Sequence, residues 1–167
     1  MRVREEEKRD RDAVHALHVA AFETSAEANL VDALREQARP VLSLVAEEAE
    51  RIVGHIMFTP VSLSGHADRR IMGLAPMAVS PDRQRKGIGS ALVRAGLEQC
   101  RDLGFGAVVV LGHPSFYPRF GFQPASRVGV ACEYDAPADA FMLVELVPGY
   151  MRGAAGTVQF HPAFENA

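Results

Sequence analysis

The spacing of apolar residues changes several times along the chain, and each change marks an element. "RVREE" at residues 2–6 reads as a short first strand, and Asp10 or Asp12 stands where a helix N-cap is expected, ahead of Val14, Leu17, Ala20, Ala21 and Phe22. A second helix over about residues 26–37 repeats Leu30, Val31 and Leu34 and stops before Pro40. The pattern then turns β-branched. "VLSLVAE" and "RIVGHIMFTPVSL", joined by the polar "EEAER", predict a hairpin between Leu42 and Leu63. After the turn "GHADRR", "IMGLAPMAV" is a third strand. Pro76 lies inside it and cannot donate a ladder hydrogen bond, which predicts a bulge, an edge or a splayed gap there.

A helix follows from about Gly87 to Leu103, with Ile88, Ala91, Leu92, Ala95, Cys100 and Leu103 as its core stripe and Gly104 as its stop. "AVVVL" is then a buried strand, so strand, helix and strand make a right-handed βαβ unit. "GHPSFYPRFGFQPA" is too rich in Pro and Gly for more than one helical turn, "AFMLVELV" is another strand and "GTVQFHPAF" a last short one. No repeat or low-complexity linker interrupts the 167 residues, so one mixed α+β domain is expected, with the tail 148–167 packed on it.

Composition narrows the function. With 48% hydrophobic and 23% charged residues a full core is available, and a net charge of −3 gives no global attraction for nucleic acid or for an anionic membrane. Cys100 and Cys132 form no CxxC pair and no disulfide framework, which suits a reducing compartment. "MRVREEEKRDRD" is charged from its second residue, unlike a secretory signal, and the longest wholly apolar run falls far short of a bilayer span. A cytoplasmic protein is expected. Any anion site must therefore be local.

One stretch offers such a site. In "SPDRQRKGIGSALV", Arg83, Arg85 and Lys86 precede Gly87, Gly89 and the start of a helix, whose free amides and dipole favour an anion. The two glycines weaken the helix start by roughly 0.5–1 kcal/mol each relative to alanine, a cost that suggests use of the bare backbone. The string GxxxxGK[ST] is absent, and GxGxxG fails where Leu92 stands in place of the third glycine.

Gln84-Arg85-Lys86-Gly87-Ile88-Gly89, following the strand "APMAV", resembles the acetyl-CoA signature of the GNAT superfamily of N-acetyltransferases. "FYPRFGF" resembles that superfamily's second marker, Tyr117 standing four residues before the pair Gly121-Phe122. The likeness extends over most of residues 1–147. It implies a central twisted, mostly antiparallel sheet of about 6–7 strands with a splayed parallel pair, flanked by helices on both faces. It departs from many members at Val110, where they carry an Asn that bonds the pantetheine arm, and in the shortened segment before Tyr117.

The resemblance implies acetyl-CoA as cosubstrate, no metal, and a primary amine as acceptor. Met77, Ala78 and Val79 would meet the pantetheine amides, Gln84, Arg85, Lys86, Gly87, Ile88, Gly89 and Ser90 the pyrophosphate, and Pro114 and Phe116 would also line the cofactor. Tyr117 would protonate the departing thiolate, a role worth 10²–10⁴-fold in general, and a backbone amide near Met77 or Ala78 would serve the oxyanion. Glu27 is the first candidate for the base, His113 the second and a water chain the third. Read without the resemblance, Tyr117 is a packed aromatic, Glu27 a helix N-terminal acid and Cys100 a core residue, and His15 and His18 lack the third ligand of a zinc site. Two other readings stay open: an acyl-CoA sensor without turnover, and a nucleotide-binding α/β protein. The acceptor and the oligomeric state, a homodimer included, are not legible.

Overall fold

The computed structural model describes residues 1–166 and gathers them into two compact units, one of Met1–Thr59, Ala75–Gly96 and 162–166, the other of Pro60–Leu74 and Leu97–His161. Strands β1 (Arg2–Glu5), β2 (Leu42–Glu48), β3 (Arg51–Leu63), β4 (Ile71–Val79), β5 (Ala107–Leu111), β6 (Gln123–Pro124), β7 (Val130–Cys132), β8 (Phe141–Glu145) and β9 (Gly156–Gln159) accompany helices α1 (Arg11–Phe22), α2 (Ala26–Gln37) and α3 (Ile88–Asp102). The strands hydrogen-bond in the order β1-β2-β3-β4-β5-β8-β6, with β9 on β3 and β7 on β9. The fold is mixed α+β and the sheet mostly antiparallel, as the sequence implied.

In the first unit β1, β2 and β3 form an antiparallel meander, with Val3 opposite Ala46 and Leu42 opposite Phe58. Successive side chains of a strand point to opposite faces, and β3 shows this directly. A Cβ on Gly54 would lie 2.8 Å from Ile88 and 3.0 Å from Leu92 of α3, whereas the next residue, His55, bonds His18 of α1. Helices therefore cover both faces of this unit. Beneath α1 and α2 the core holds Val14, Leu30, Val31, Leu34, Val45 and Met57, closed by Ala163 and Phe164 of the tail. Each such aliphatic side chain contributes roughly 1.5–3 kcal/mol when fully buried.

In the second unit β4 and β5 are the parallel pair, with a ladder running from Ile71 opposite Ala107 to Gly73 opposite Val109. Strand β4 carries Pro76 three residues beyond that ladder, where the proline had predicted a break in pairing. Strand β8 runs antiparallel to β5, Val109 facing Leu143, and both are buried along most of their length. In the tail, β9 pairs antiparallel with β3 at Ser62–Gln159 and parallel with β7 at Ala131–Thr157.

Two expectations need correction. Leu103 is not core but 48% exposed, because α3 ends at Asp102 and the left-handed Gly104 turns the chain away. Asp10 does not cap α1 through its side chain. Its carboxylate accepts from the Glu7 amide one turn earlier, at 2.7 Å, and pairs with Arg4.

Candidate active site

In the first unit the connection between β4 and α3 is built in two halves. The leading half is locked to the sheet: the Ser80 amide donates to the Val53 carbonyl at 2.8 Å, and Arg51 clamps Asp82 at 2.9 and 3.1 Å while also reaching Ser80 Oγ. Arg51 and the Ser80 hydroxyl together hold the Asp82 carboxyl far below the usual carboxylate range. Arg83 also belongs to this half. It bonds Glu48 of β2 at 2.8 Å, so the sequence reading that counted it as charge for the anion is corrected. Gln84 turns back as well, its side-chain amide 3.3 Å from the Val79 carbonyl.

The trailing half is free. Arg85 has φ +65° and Gly87 φ +86°, with Lys86 between them outside the left-handed region. Alternation of this kind turns successive amides toward one point and forms anion-binding concavities. Among the described residues Arg85 and Lys86 make no ion pair, and both are exposed. The first helical bond of α3 is Ala91 N–H to Gly87 O at 3.0 Å, so the amides of Ile88, Gly89 and Ser90 have no intrahelical acceptor. A Cβ on Gly87 would meet nothing within 4 Å, leaving the approach to those amides open. An anion is the natural partner of this arrangement. Upstream, Ala78 is buried while Met77 and Val79 are half-buried, the alternation of a strand with one open side.

Glu27 lies in the first turn of α2, half-buried, with the Thr24 hydroxyl 3.4 Å from its carboxylate.

In the second unit "FYPRFGF" forms a single 3-10 turn, Tyr117–Phe120, closed by Gly121 at φ +95° with its amide on the Pro118 carbonyl. The left-handed closure explains the glycine of the marker, and Phe122 explains itself by packing edge-on against the Tyr117 ring at 5.5 Å. Phe116 meets the same ring at 5.0 Å. Gly112 supplies the third wall, since a Cβ there would stand 2.6 Å from the Tyr117 ring. Tyr117 is 7% exposed, and burial pushes its phenol up to about 12. Its hydroxyl makes no hydrogen bond among the described residues. The ring is packed on these walls, while the hydroxyl is accessible rather than sealed in the core. Pro114 and His113 are exposed, Phe116 is half-buried, and Arg119 lies 4.8 Å over the Phe116 ring.

Burial also pushes the Cys100 thiol up to about 12, consistent with a core residue. No group of three metal-ligating side chains occurs among the described residues, and no helix there is long and apolar enough to cross a membrane. The sequence reading missed one cluster, the buried pair His18 and His55. Its signal was present, since His18 follows Val14 by four residues on the buried stripe of α1 and His55 interrupts the apolar run of β3.

Comparison with known proteins adds independent findings. The model of the acetyltransferase (GNAT) family matches residues 8–122. N-acetyltransferase YhbS of Escherichia coli K12 is 36% identical over 167 residues, covering 99% of each chain. YjhQ, an N-acetyltransferase of the same strain, is 42% identical over 137 residues, 80% of this chain and 76% of that one. The crystal structure of E. coli YhbS in complex with CoA matches with a TM-score of 0.92 at 35% identity, covering 98% of this chain and 91% of that chain. A GNAT family acetyltransferase from Brucella melitensis in complex with acetyl-CoA matches with a TM-score of 0.81 at 36% identity, covering 98% and 97%.

Proposed function

The chain belongs to the GNAT acetyltransferase family, and from that premise we propose that it moves an acetyl group from acetyl-CoA to a primary amine by direct attack in a ternary complex, within a single catalytic domain. The observation that carries this reading is the free half of the β4–α3 connection. Arg85 and Lys86 without an ion pair among the described residues, left-handed Arg85 and Gly87, and the amides of Ile88, Gly89 and Ser90 without an intrahelical acceptor support a diphosphate site here. Bound acetyl-CoA supplies the activated thioester.

The chain's own groups then have separable tasks. Arg85 to Ser90 neutralise and orient the pyrophosphate, and Gln84 keeps the loop in place from behind through Val79. The backbone of Met77 to Val79 bonds the pantetheine amides, and an amide near Met77 or Ala78 donates to the charge that develops on the attacked oxygen. Pro114 and Phe116 line the acyl-CoA. Tyr117 donates its proton to the departing thiolate. A phenol at about 12 stays protonated at every working pH. A free thiol titrates near 8.5, but the burial that lifts the phenol lifts a neighbouring thiolate as well. We expect Tyr117 to contribute about 10²-fold, the low end of the general-acid range.

Thermal melts with CoA, NAD and ATP test the reading, together with thiol release from acetyl-CoA across an amine panel. At 100 times its Kd a ligand adds ~2.7 kcal/mol, so CoA should raise Tm where NAD and ATP do not. Stabilisation by CoA with no amine-dependent thiol release identifies a sensor instead, and stabilisation by NAD or ATP alone identifies a nucleotide-binding protein.

A further inference from the structure

A chain of hydrogen bonds runs through the first unit from a groove to a dead end. Arg35 of α2 holds Glu6 in a two-pronged pair at 2.7 and 3.2 Å, and the Ser43 hydroxyl of β2 donates to Glu6 Oε1 at 2.9 Å. Ser43 Oγ is 2.8 Å from His55 Nε2, and His55 Nδ1 is 2.8 Å from His18 Nε2. Both imidazoles are 0% exposed, and His18 Nδ1 is buried with no partner among the described residues. Glu6, Arg35 and Ser43 line a groove of about 240 Å³ at the other end.

The donor directions follow from the carboxylate. It can only accept, so the one hydroxyl proton of Ser43 points at Glu6 and Ser43 must accept from His55 Nε2–H. Neutral His55 then has a bare Nδ1 and must accept from His18 Nε2–H. Neutral His18 is left with a bare Nδ1. Every proton in the chain points toward Glu6, and the far end is an unfilled lone pair. Leaving a buried acceptor unmet costs roughly 1–3 kcal/mol, so the arrangement is not the one that packing alone favours. Phe22, 38% exposed, stacks on the His18 ring at 5.9 Å.

We propose that Glu6, Ser43, His55 and His18 form a proton line that disposes of the proton lost by the attacking amine, with His18 Nδ1 as its entrance and Glu6 as its exit. The inference rests on the acetyl transfer proposed above. A proton arriving at His18 Nδ1 releases the Nε2 proton to His55 Nδ1. His55 releases its Nε2 proton to Ser43 Oγ, and Ser43 passes its own to Glu6. Each middle group gains one proton and loses one. The carboxylate becomes a carboxylic acid, every hydrogen bond survives with its direction reversed, and no imidazolium remains. Loss of the proton from Glu6 to the groove and return of the two tautomers reset the line. The surroundings suit a conduit rather than a store: burial first, then the charges of His15 and Arg35, push His18 down to about 4 against an upward pull from Asp32, and burial first, then the charges of His18 and Arg35, push His55 well below its ordinary value. His15 is itself paired to Asp32 at 3.1 Å. His55, Ser43 and Glu6 act through His18 and are positioning residues.

Ser43→Ala cuts the line at a group that no other part of the proposed mechanism uses, and Ser43→Thr restores the hydroxyl. With a working line the ammonium form is used, so wild-type kcat/KM is nearly flat from about pH 6.5 to 8.5. With the line cut only the neutral amine reacts, and kcat/KM climbs about tenfold per pH unit toward an amine pKa near 10.4. Ser43→Thr should restore the flat profile. Nitrogen NMR of the wild-type protein should find both buried imidazoles protonated at Nε2 and bare at Nδ1. Identical profiles for wild type and Ser43→Ala, or an Nδ1-protonated His55, overturn the line alone. Wild-type protein that turns over no amine overturns the acetyl-transfer reading, and the line with it.

Discussion

Replacing Gly87 with valine strains one residue and should cost the protein its cosubstrate while sparing its fold. The position has φ +86°, and a Cβ there would meet no atom within 4 Å. No clash therefore arises, and the penalty is conformational, about 1–2 kcal/mol for an L-residue in the left-handed region. For a chain of this size that corresponds to a fall in Tm of about 2–8 °C. The loop escapes the strain by moving φ to negative values, which re-aims the amides that follow. Hydrogen bonds to a charged group contribute about 1.5–3 kcal/mol each, so losing two weakens CoA binding by roughly 10²–10⁴-fold. Isothermal titration with CoA measures this. Gly153→Val is the matched control, since Gly153 has φ +75° and equally open surroundings in the other unit. It should show the same small loss in Tm and unchanged CoA affinity. Gly87→Val protein that binds CoA within about threefold of wild type would refute the assignment of this turn to the pyrophosphate.

Other expectations follow from the same geometry. Gly112→Ala places a methyl 2.6 Å from the Tyr117 ring; displacing the ring should lower kcat much as Tyr117→Phe does, and the double variant should be no slower than the worse single one, whereas additive losses would show that the two act separately. Gly96→Ala drives a Cβ into the Phe58 ring in a helix, where no backbone strain enters; overpacking of this kind costs typically 1–3 kcal/mol, and an unchanged urea midpoint would contradict it. The His18 pKa is lowered to about 4 in the fold, against about 6.5 when unfolded. Its contribution is therefore complete above pH 6.5 and is lost as the pH falls toward 4, amounting to about 3 kcal/mol. Urea unfolding of wild type and His18→Gln across that window should differ in slope, and parallel curves would refute the argument.

The elements legible in the sequence were those stabilised by local pattern. The second helix was placed at 26–37 from its apolar spacing and Pro40, and it forms over Ala26–Gln37. Strands β2, β3, β4 and β5 were readable because each carries a run of largely apolar residues bounded by polar turns. Strands β6 and β7 went unread. They are two and three residues long and exist through partners far along the chain, β8 for one and β9 for the other, so no local period announces them. The anion loop was legible as a composition, but its division of labour was not. Arg83 and Arg85 look alike in sequence, and only folding shows that one is tied to Glu48 while the other makes no ion pair among the described residues. The line from Glu6 to His18 joins residues separated by up to 37 positions, a contact that arises from α1 lying on the sheet. Its buried imidazoles could be suspected from the apolar residues around them, but its direction depends on which oxygen Ser43 faces.

The most direct test of acetyl transfer is to incubate the protein with carbon-labelled acetyl-CoA and a panel of primary amines, and to follow labelled product for wild type and Tyr117→Phe. The account predicts an N-acetylated amine formed stoichiometrically with free CoA, about 10²-fold lower kcat in Tyr117→Phe, and the same acetyl-CoA Kd for both proteins. Tight acetyl-CoA binding with no labelled amine, or product formed equally fast by Tyr117→Phe, would contradict it.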